Sequence, residues 1–145
     1  MIGLLQRVSQ ASVNIDNATV ASINSGLLVL IGIEKSDTQS NAEKLFDKII
    51  NYRVFADSED KMNLSLKDTN GGLILVPQFT LAADTQKGLR PSFSNAAAPN
   101  QAKPLFDYLI EHANEQYNAV GSGVFSADMQ VSLINDGPVT FWLQQ

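Results

Sequence analysis

The chain has 145 residues, is 44% hydrophobic, contains no cysteine and carries a formal net charge of −5. That length favours one domain with a sizeable core of its own. The composition excludes a disordered chain, a disulfide framework and a thiolate metal site, and the net charge has the wrong sign for a generic nucleic-acid binder.

The charge is unevenly spread. Ten basic and ten acidic residues lie between Met1 and Lys103; beyond Lys103 only Asp107, Glu111, Glu115, Asp128 and Asp136 are charged. A polyanionic partner would therefore approach the N-terminal two-thirds.

The start, "MIGLLQRVSQASVNI", has no basic region ahead of its apolar residues and reads as a first strand rather than a signal peptide. Alternation continues through "TVASI". Asn24-Ser25-Gly26 is a turn signal before the continuous apolar strand "GLLVLIGI", so the flanking runs predict a hairpin. That run, Gly26 to Ile33, is the longest apolar one and too short to span a bilayer.

Asp37 or Ser40 could cap the next element. Ala42, Leu45, Phe46, Ile49 and Ile50 then follow helical spacing, with Lys44 and Lys48 opposite. "ADSEDKMNLSLKDTNGG" is a polar connection with room for a short strand. "GLILVPQF" reads as the central buried strand. "TLAADTQKGLRPSFSNAAAPN" has no period, and long irregular segments of this kind are often functional. A second helix is expected from about Asn100 to Tyr117, with Leu105, Phe106, Leu109, Ile110 and Ala113 as its apolar stripe. Asp107, Glu111 and Glu115 recur at i, i+4, i+8 opposite it, which suits a solvated face. The end, "ADMQVSLINDGPVTFWLQQ", predicts two strands around a Gly-Pro turn. Strands outnumber helices without regular alternation, so the fold class is mixed α+β.

The sequence is poor in the usual catalytic groups. His112 is the lone histidine, on the flank of the second helix, and no cluster of His, Asp and Glu has metal-ligand spacing. No metal and no cofactor is expected. What remains is backbone and hydroxyl chemistry at two places. The first is Val76-Pro77-Gln78-Phe79-Thr80-Leu81, where N–H groups at a strand end could stabilise an oxyanion. Thr80 has no base beside it in sequence, so its hydroxyl suits orienting better than attacking. The second is Asn135-Asp136-Gly137-Pro138-Val139-Thr140. There the proline restricts Gly137 and stiffens a tip with no side chain at that glycine, suited to close contact with a ligand.

With "MIGLLQRVSQASV", "QFTLAADTQKGLRPSF" and "ADMQVSLINDGPVTFWLQ", the chain resembles the D-aminoacyl-tRNA deacylases, also called D-tyrosyl-tRNA deacylases, along essentially its whole length. The resemblance implies a single domain over residues 1–145, with a β-barrel-like mixed sheet, helices packed outside, and a homodimer. It implies hydrolysis of the ester of D-aminoacyl-tRNA and of mischarged glycyl-tRNA, with L-aminoacyl-tRNA spared, in the cytoplasm and without a membrane. The partner is the acceptor end of tRNA. Gln78, Phe79 and Thr80 would line the ester. Gly137 and Pro138, held cis, would enter the other subunit's pocket as the chiral filter.

By the same resemblance Phe125 and Met129 fall at substrate-pocket positions, Ala102 lies beside the terminal adenine, and Arg7 fixes the Gly-Pro orientation. A main-chain mechanism assisted by the terminal adenosine's 2′-OH is implied. Pro77 stands where the family has serine, which removes a hydroxyl and an N–H together. Two other readings remain at this point: a non-catalytic tRNA-binding relative, and an acyl hydrolase with Thr80 as nucleophile. Lys87 and Arg90, with Lys44 and Lys48, are the candidate phosphate contacts.

Overall fold

The computed structural model describes residues 1–86 and 88–145; the candidate contact Lys87 lies outside the described residues. In chain order the elements are β1 (Ile2–Ile15), β2 (Ala18–Ile23), β3 (Gly26–Gly32), α1 (Gln39–Asn51), β4 (Phe55–Ala56), β5 (Met62–Leu64), α2 (Leu66–Thr69), β6 (Gly72–Pro77), a 3-10 turn (Phe79–Ala82), α3 (Pro99–Gln116), β7 (Val120–Ser122) and β8 (Gln130–Gln144). Six strands form one mixed sheet curled nearly into a barrel; β4 and β5 form a separate two-stranded ribbon.

β1 is the hub. It pairs antiparallel with β2 through Ala11–Ile15, with β3 through Ile2–Val8, and with β8 along almost its whole length. The reversal from β1 to β2 is a two-residue turn at Asp16 and Asn17, at φ 49° and 65°. Both side chains are short and polar, the kind that tolerates the left-handed region. The hairpin expected at Asn24-Ser25-Gly26 does not form. β2 and β3 do not pair with each other; they run in succession along β1. Fourteen residues of β1 offer enough edge for both, so the Asn-Ser step joins two segments rather than reversing the chain.

The parallel pairs β3–β6 and β6–β7 each need a crossover, and the long helices α1 and α3 lie within the two crossovers. Strand alternation then sorts the sheet's faces. Leu5, Leu27, Val29, Leu73 and Leu75 pack with Leu45, Phe46 and Ile49 of α1 and with Phe106 and Leu109 of α3. Val8, Val13, Leu28, Ile74 and Val76 form a second cluster on the opposite, inner face. Each fully buried Leu, Ile or Phe of this kind contributes roughly 1.5–3 kcal/mol.

The cap of α1 is Thr38, not Asp37 or Ser40. Thr38 donates through its N–H (3.0 Å) and its hydroxyl (2.7 Å) to Asn41 Oδ1. Asp37 is buried and used elsewhere: its Oδ2 accepts from Glu34 N at 2.7 Å, and its Oδ1 accepts from the Met1 amino group at 2.5 Å. The α3 stripe is buried at Ala102, Leu105, Phe106, Leu109 and Ala113, while Ile110 is half-buried.

The C-terminal segment also departs from expectation. β8 is one strand of 15 residues, not two around a turn. Its register on β1 jumps: Thr140 faces Gln6 and Asn135 faces Val8, so five steps of β8 span two of β1. The surplus, Asp136 to Val139, leaves the ladder as a bulge. Proline has no N–H to give a ladder, and a bulge is where a strand accommodates one.

Candidate active site

The sequence stretch Val76 to Leu81 becomes a strand end followed by a tight turn. Pro77 is the last residue of β6 and faces Ile31 of β3. On the other side β7 reaches only as far as Leu75. The N–H that proline lacks would have pointed to the β7 side, where Gly123 N donates to Leu75 O at 2.9 Å and Gly123 then packs against the Pro77 ring, so the regular ladder ends here. Gln78 N donates to Ile31 O at 2.7 Å, which pins the chain to β3 before it coils. The first bond of the 3-10 turn is Leu81 N to Gln78 O, at 3.3 Å. The N–H groups of Phe79 and Thr80 precede it and have no partner within the turn. Gly32 lets this turn lie close, because a Cβ there would come 2.8 Å from Leu81 Cβ.

A cavity of about 880 Å³ opens on the inner face of the sheet beside this turn. Its floor is Leu28, Leu30 and Val76, alternate residues of β3 and β6. One wall is Pro77, Gln78 and Phe79; another is Ala96 to Pro99 with Ala102; a third is Phe125 to Ala127 with Met129. Gly123 brings the third wall against the first, since a Cβ on it would come 2.8 Å from Met129 Sδ and 3.2 Å from Pro77 Cδ. Val124 N donates to that sulfur at 3.4 Å.

Among the described residues no Asp, Glu, His, Lys or Arg lines this cavity. The polar side chains are Gln6, Gln78 and Ser126. His112 is elsewhere, 5.5 Å from Phe46 edge-on and 6.2 Å from Tyr108 in a stack. Two carboxyls held below the usual range, Asp57 by hydrogen bonds led by Asn63 and Asp68 by hydrogen bonds from Ser65, also lie outside it. A chemistry run here has neutral amide, hydroxyl and backbone groups to work with.

The expected residues thus fall into two groups. Gln78, Phe79, Ala102, Phe125 and Met129 surround the cavity. Thr80 stands just outside, exposed, its hydroxyl accepting a short hydrogen bond from Gln78 Nε2. Arg7, Gly137 and Pro138 do not line it. They make their own cluster on the bulge of β8, where the Gly137-Pro138 peptide is cis and both residues are exposed. Arg7 Nε donates to Asp136 O at 3.0 Å and pairs with Asp136 Oδ2 at 3.2 Å, while its Nη1 donates to Val54 O. One guanidinium therefore ties the tip to the segment after α1.

Several residues here escaped sequence reasoning. Gln6 lines the cavity while Arg7, its neighbour on the other face of β1, holds the tip. Asp136 and the Val54 carbonyl fix Arg7, and Phe93 lies beside Phe79. The signal for Phe93 was its place in the irregular, proline-bearing segment; its contact with Phe79 is tertiary.

Residues 4–144 match the family described as D-Tyr-tRNA(Tyr) deacylase. The chain belongs to this deacylase family. It is 54% identical over 144 residues to the D-aminoacyl-tRNA deacylase of Cellvibrio japonicus (strain Ueda107), covering 99% of both chains. It is 60% identical, with the same coverage, to that of Legionella pneumophila (strain Lens). Among solved structures, the c-Myc DNA unwinding element binding protein superposes with a TM-score of 0.95 at 36% identity, over 100% of this chain and 99% of that one. A probable eukaryotic D-amino acid tRNA deacylase superposes at 0.85 with 17% identity, over 99% and 98%, which concerns the fold alone. Among the described residues no helix is long and apolar enough to cross a membrane.

Proposed function

We propose that this chain is a single-domain, cytoplasmic enzyme that hydrolyses the ester of D-aminoacyl-tRNA and of mischarged glycyl-tRNA, and that it does so as a homodimer. Family membership over nearly the whole chain supports the reaction. The observation that carries the mechanism is the cavity without an ionisable lining, placed beside two backbone N–H groups free of turn bonds.

In this reading the terminal adenosine enters against Ala102, and the ester carbonyl meets Phe79 and Thr80. Water attacks the carbonyl carbon, and the developing oxyanion is held by the Phe79 and Thr80 N–H groups. Such preorganised donors are each worth about 10²–10³ in rate. The adjacent ribose 2′-OH takes the part of the missing protein base. The tetrahedral intermediate then collapses, the ribose oxygen leaves with a proton, and D-amino acid and tRNA are released. Gln78 orients the Thr80 hydroxyl, and Phe125 offers its carbonyl to the amino group.

Chirality would be judged by the partner protomer's tip. A rigid Gly137-Pro138 wall entering this cavity, its angle set by Arg7, clashes with an L side chain and leaves a D side chain pointing outward. Glycine, having no side chain, passes. Rejection by a wall needs no pocket for any one side chain, so many D-amino acids are accepted. The Arg7–Asp136–Val54 network supports this role, because a filter of this type works only if its tip cannot swing.

The decisive assay pairs D- and L-tyrosyl-tRNA. D-tyrosyl-tRNA is expected to be deacylated while the L form persists; equal hydrolysis of both, or of neither, would sink the proposal. A second expectation separates backbone from hydroxyl. Thr80→Ala should keep single-turnover rates within about tenfold of wild type, since the N–H survives. A nucleophilic Thr80 would instead lose roughly 10⁴-fold or more.

A further inference from the structure

We infer that Phe79 and Phe93 form a stacking surface for the nucleobase that precedes the terminal adenosine, an inference that rests on the deacylase reading. Their ring centroids are 5.1 Å apart at an interplanar angle of 53°. Both border the cavity, yet Phe79 is 58% and Phe93 43% exposed, in a chain whose other described phenylalanines are buried or half-buried. Ala102, Phe79 and Phe93 line one cavity, so a strand whose terminal adenosine sat against Ala102 would leave over a rim that includes the two exposed rings. Exposed aromatic faces beside a strand's path are what single-stranded RNA stacks upon.

The surroundings position the surface and suit a polyanion. Asp84 N donates to Ser92 O at 2.7 Å and Ser92 N donates back at 3.0 Å, closing the segment that precedes Phe93. Ala96 N donates to Phe93 O at 3.1 Å, tying the following turn to the buried Ala96-Ala97 wall. Arg90 is exposed in that closed segment. Lys35 is exposed as well, and its backbone is tied to the same wall: its N donates to Asn95 O at 3.1 Å and its O accepts from Gln101 Nε2 at 2.8 Å. The neighbouring carboxylate, Asp84, accepts from Gln86 N at 2.9 Å. Arg90 thus comes three residues before Phe93 in the chain, and Lys35 is tied to Asn95, two residues after it; cations near an apolar surface are the combination that follows a nucleotide backbone while holding its base.

The test uses D-tyrosyl esters of adenosine and of the trinucleotide CpCpA, with wild type, Phe93→Ala and Phe93→Trp. Wild type is expected to favour the trinucleotide ester in kcat/KM by about tenfold, the scale of one stacked base. Phe93→Ala should lose that preference, its kcat/KM falling about tenfold further on the trinucleotide ester than on the adenosine ester, and Phe93→Trp should restore it. Equal loss on both esters, no loss on either, or a wild type without the preference overturns the inference. So does a shift of Phe93→Ala from dimer to monomer in gel filtration, which would make the pair a contact with a second copy. A wild type inert on both esters and on D-tyrosyl-tRNA overturns the deacylase reading itself; an active wild type with an unchanged Phe93→Ala overturns the stacking surface alone.

Discussion

Gly137→Ala is expected to raise kcat/KM on L-aminoacyl-tRNA by about tenfold or more and so to narrow the D/L ratio, with the fold intact. Gly137 sits at φ 122°, a region L side chains rarely adopt. A Cβ there would come 2.9 Å from Val139 Cγ2 and 3.0 Å from the Arg7 guanidinium. The chain can respond by leaving that backbone region or by pushing Arg7 aside. Staying put costs roughly 1–3 kcal/mol of backbone strain. Moving Arg7 breaks its bonds to Asp136 and Val54 and frees the tip. Either response turns a fixed wall into a movable one. That strain should lower the thermal midpoint by a few degrees while the chain stays folded at assay temperature. D and L kinetics measured beside the thermal midpoint check this; a variant with wild-type rates and wild-type D/L ratio would remove the tip from the mechanism.

Gly26→Ala carries the largest stability effect. A Cβ on Gly26 would lie 1.9 Å from Gly72 O and 2.7 Å from Gly72 N. No side chain can turn away, because the obstacle is the backbone of β6. Gly26 and Gly72 open the parallel ladder between β3 and β6, and Gly72 N donates to Ser25 O at 3.0 Å beside them. Parting the strands here lifts the end of β6 against the inner-face cluster of Leu28, Ile74 and Val76. A loss above about 4 kcal/mol is expected, a large share of the 5–15 kcal/mol typical of a domain. Urea unfolding measures it directly. A variant with a wild-type midpoint would mean the two strands can part without cost.

β6 also leads directly into Gln78, so the two substitutions reach the proposed site by different routes. One disturbs the frame that carries the oxyanion donors. The other disturbs the tip that would judge chirality. A folded but unselective Gly137→Ala beside a poorly folded Gly26→Ala would separate frame from filter.

Much of the architecture is legible in the chain. The apolar spacing of Ala42, Leu45, Phe46, Ile49 and Ile50 identifies α1, because a helix buried on one side repeats every 3.6 residues. The continuous run Leu73 to Val76 identifies a strand buried on both faces, and β6 is one, with helices outside and the second cluster inside. The candidate residues at 78–80 and 137–138 stood out as chemistry in odd places, and long motifs tied them to one family.

Other features could not be read locally. Periodicity reports which face of a segment is buried, not which strand lies beside it. Asn24-Ser25-Gly26 therefore looked like a reversal when it only joins two segments along β1. The Gly-Pro stretch looked like a turn for the same reason, although it is a bulge in one long strand. Capping was misassigned by one or two residues, since Asp37 is drawn into a buried contact that no short window contains.

The sequence by itself determined the helical faces, the buried central strand and the kinship of the chain, because each depends on neighbours in the chain or on motifs as written. The tertiary structure alone decided the pairing around β1, the Gln6 lining of the cavity, the Phe79–Phe93 pair and the bonds from Arg7 to Asp136 and Val54. Those rest on contacts between residues far apart in sequence, Arg7 and Asp136 being 129 positions apart. Such contacts exist only after the chain has closed its sheet, and no local pattern encodes which distant residue will arrive.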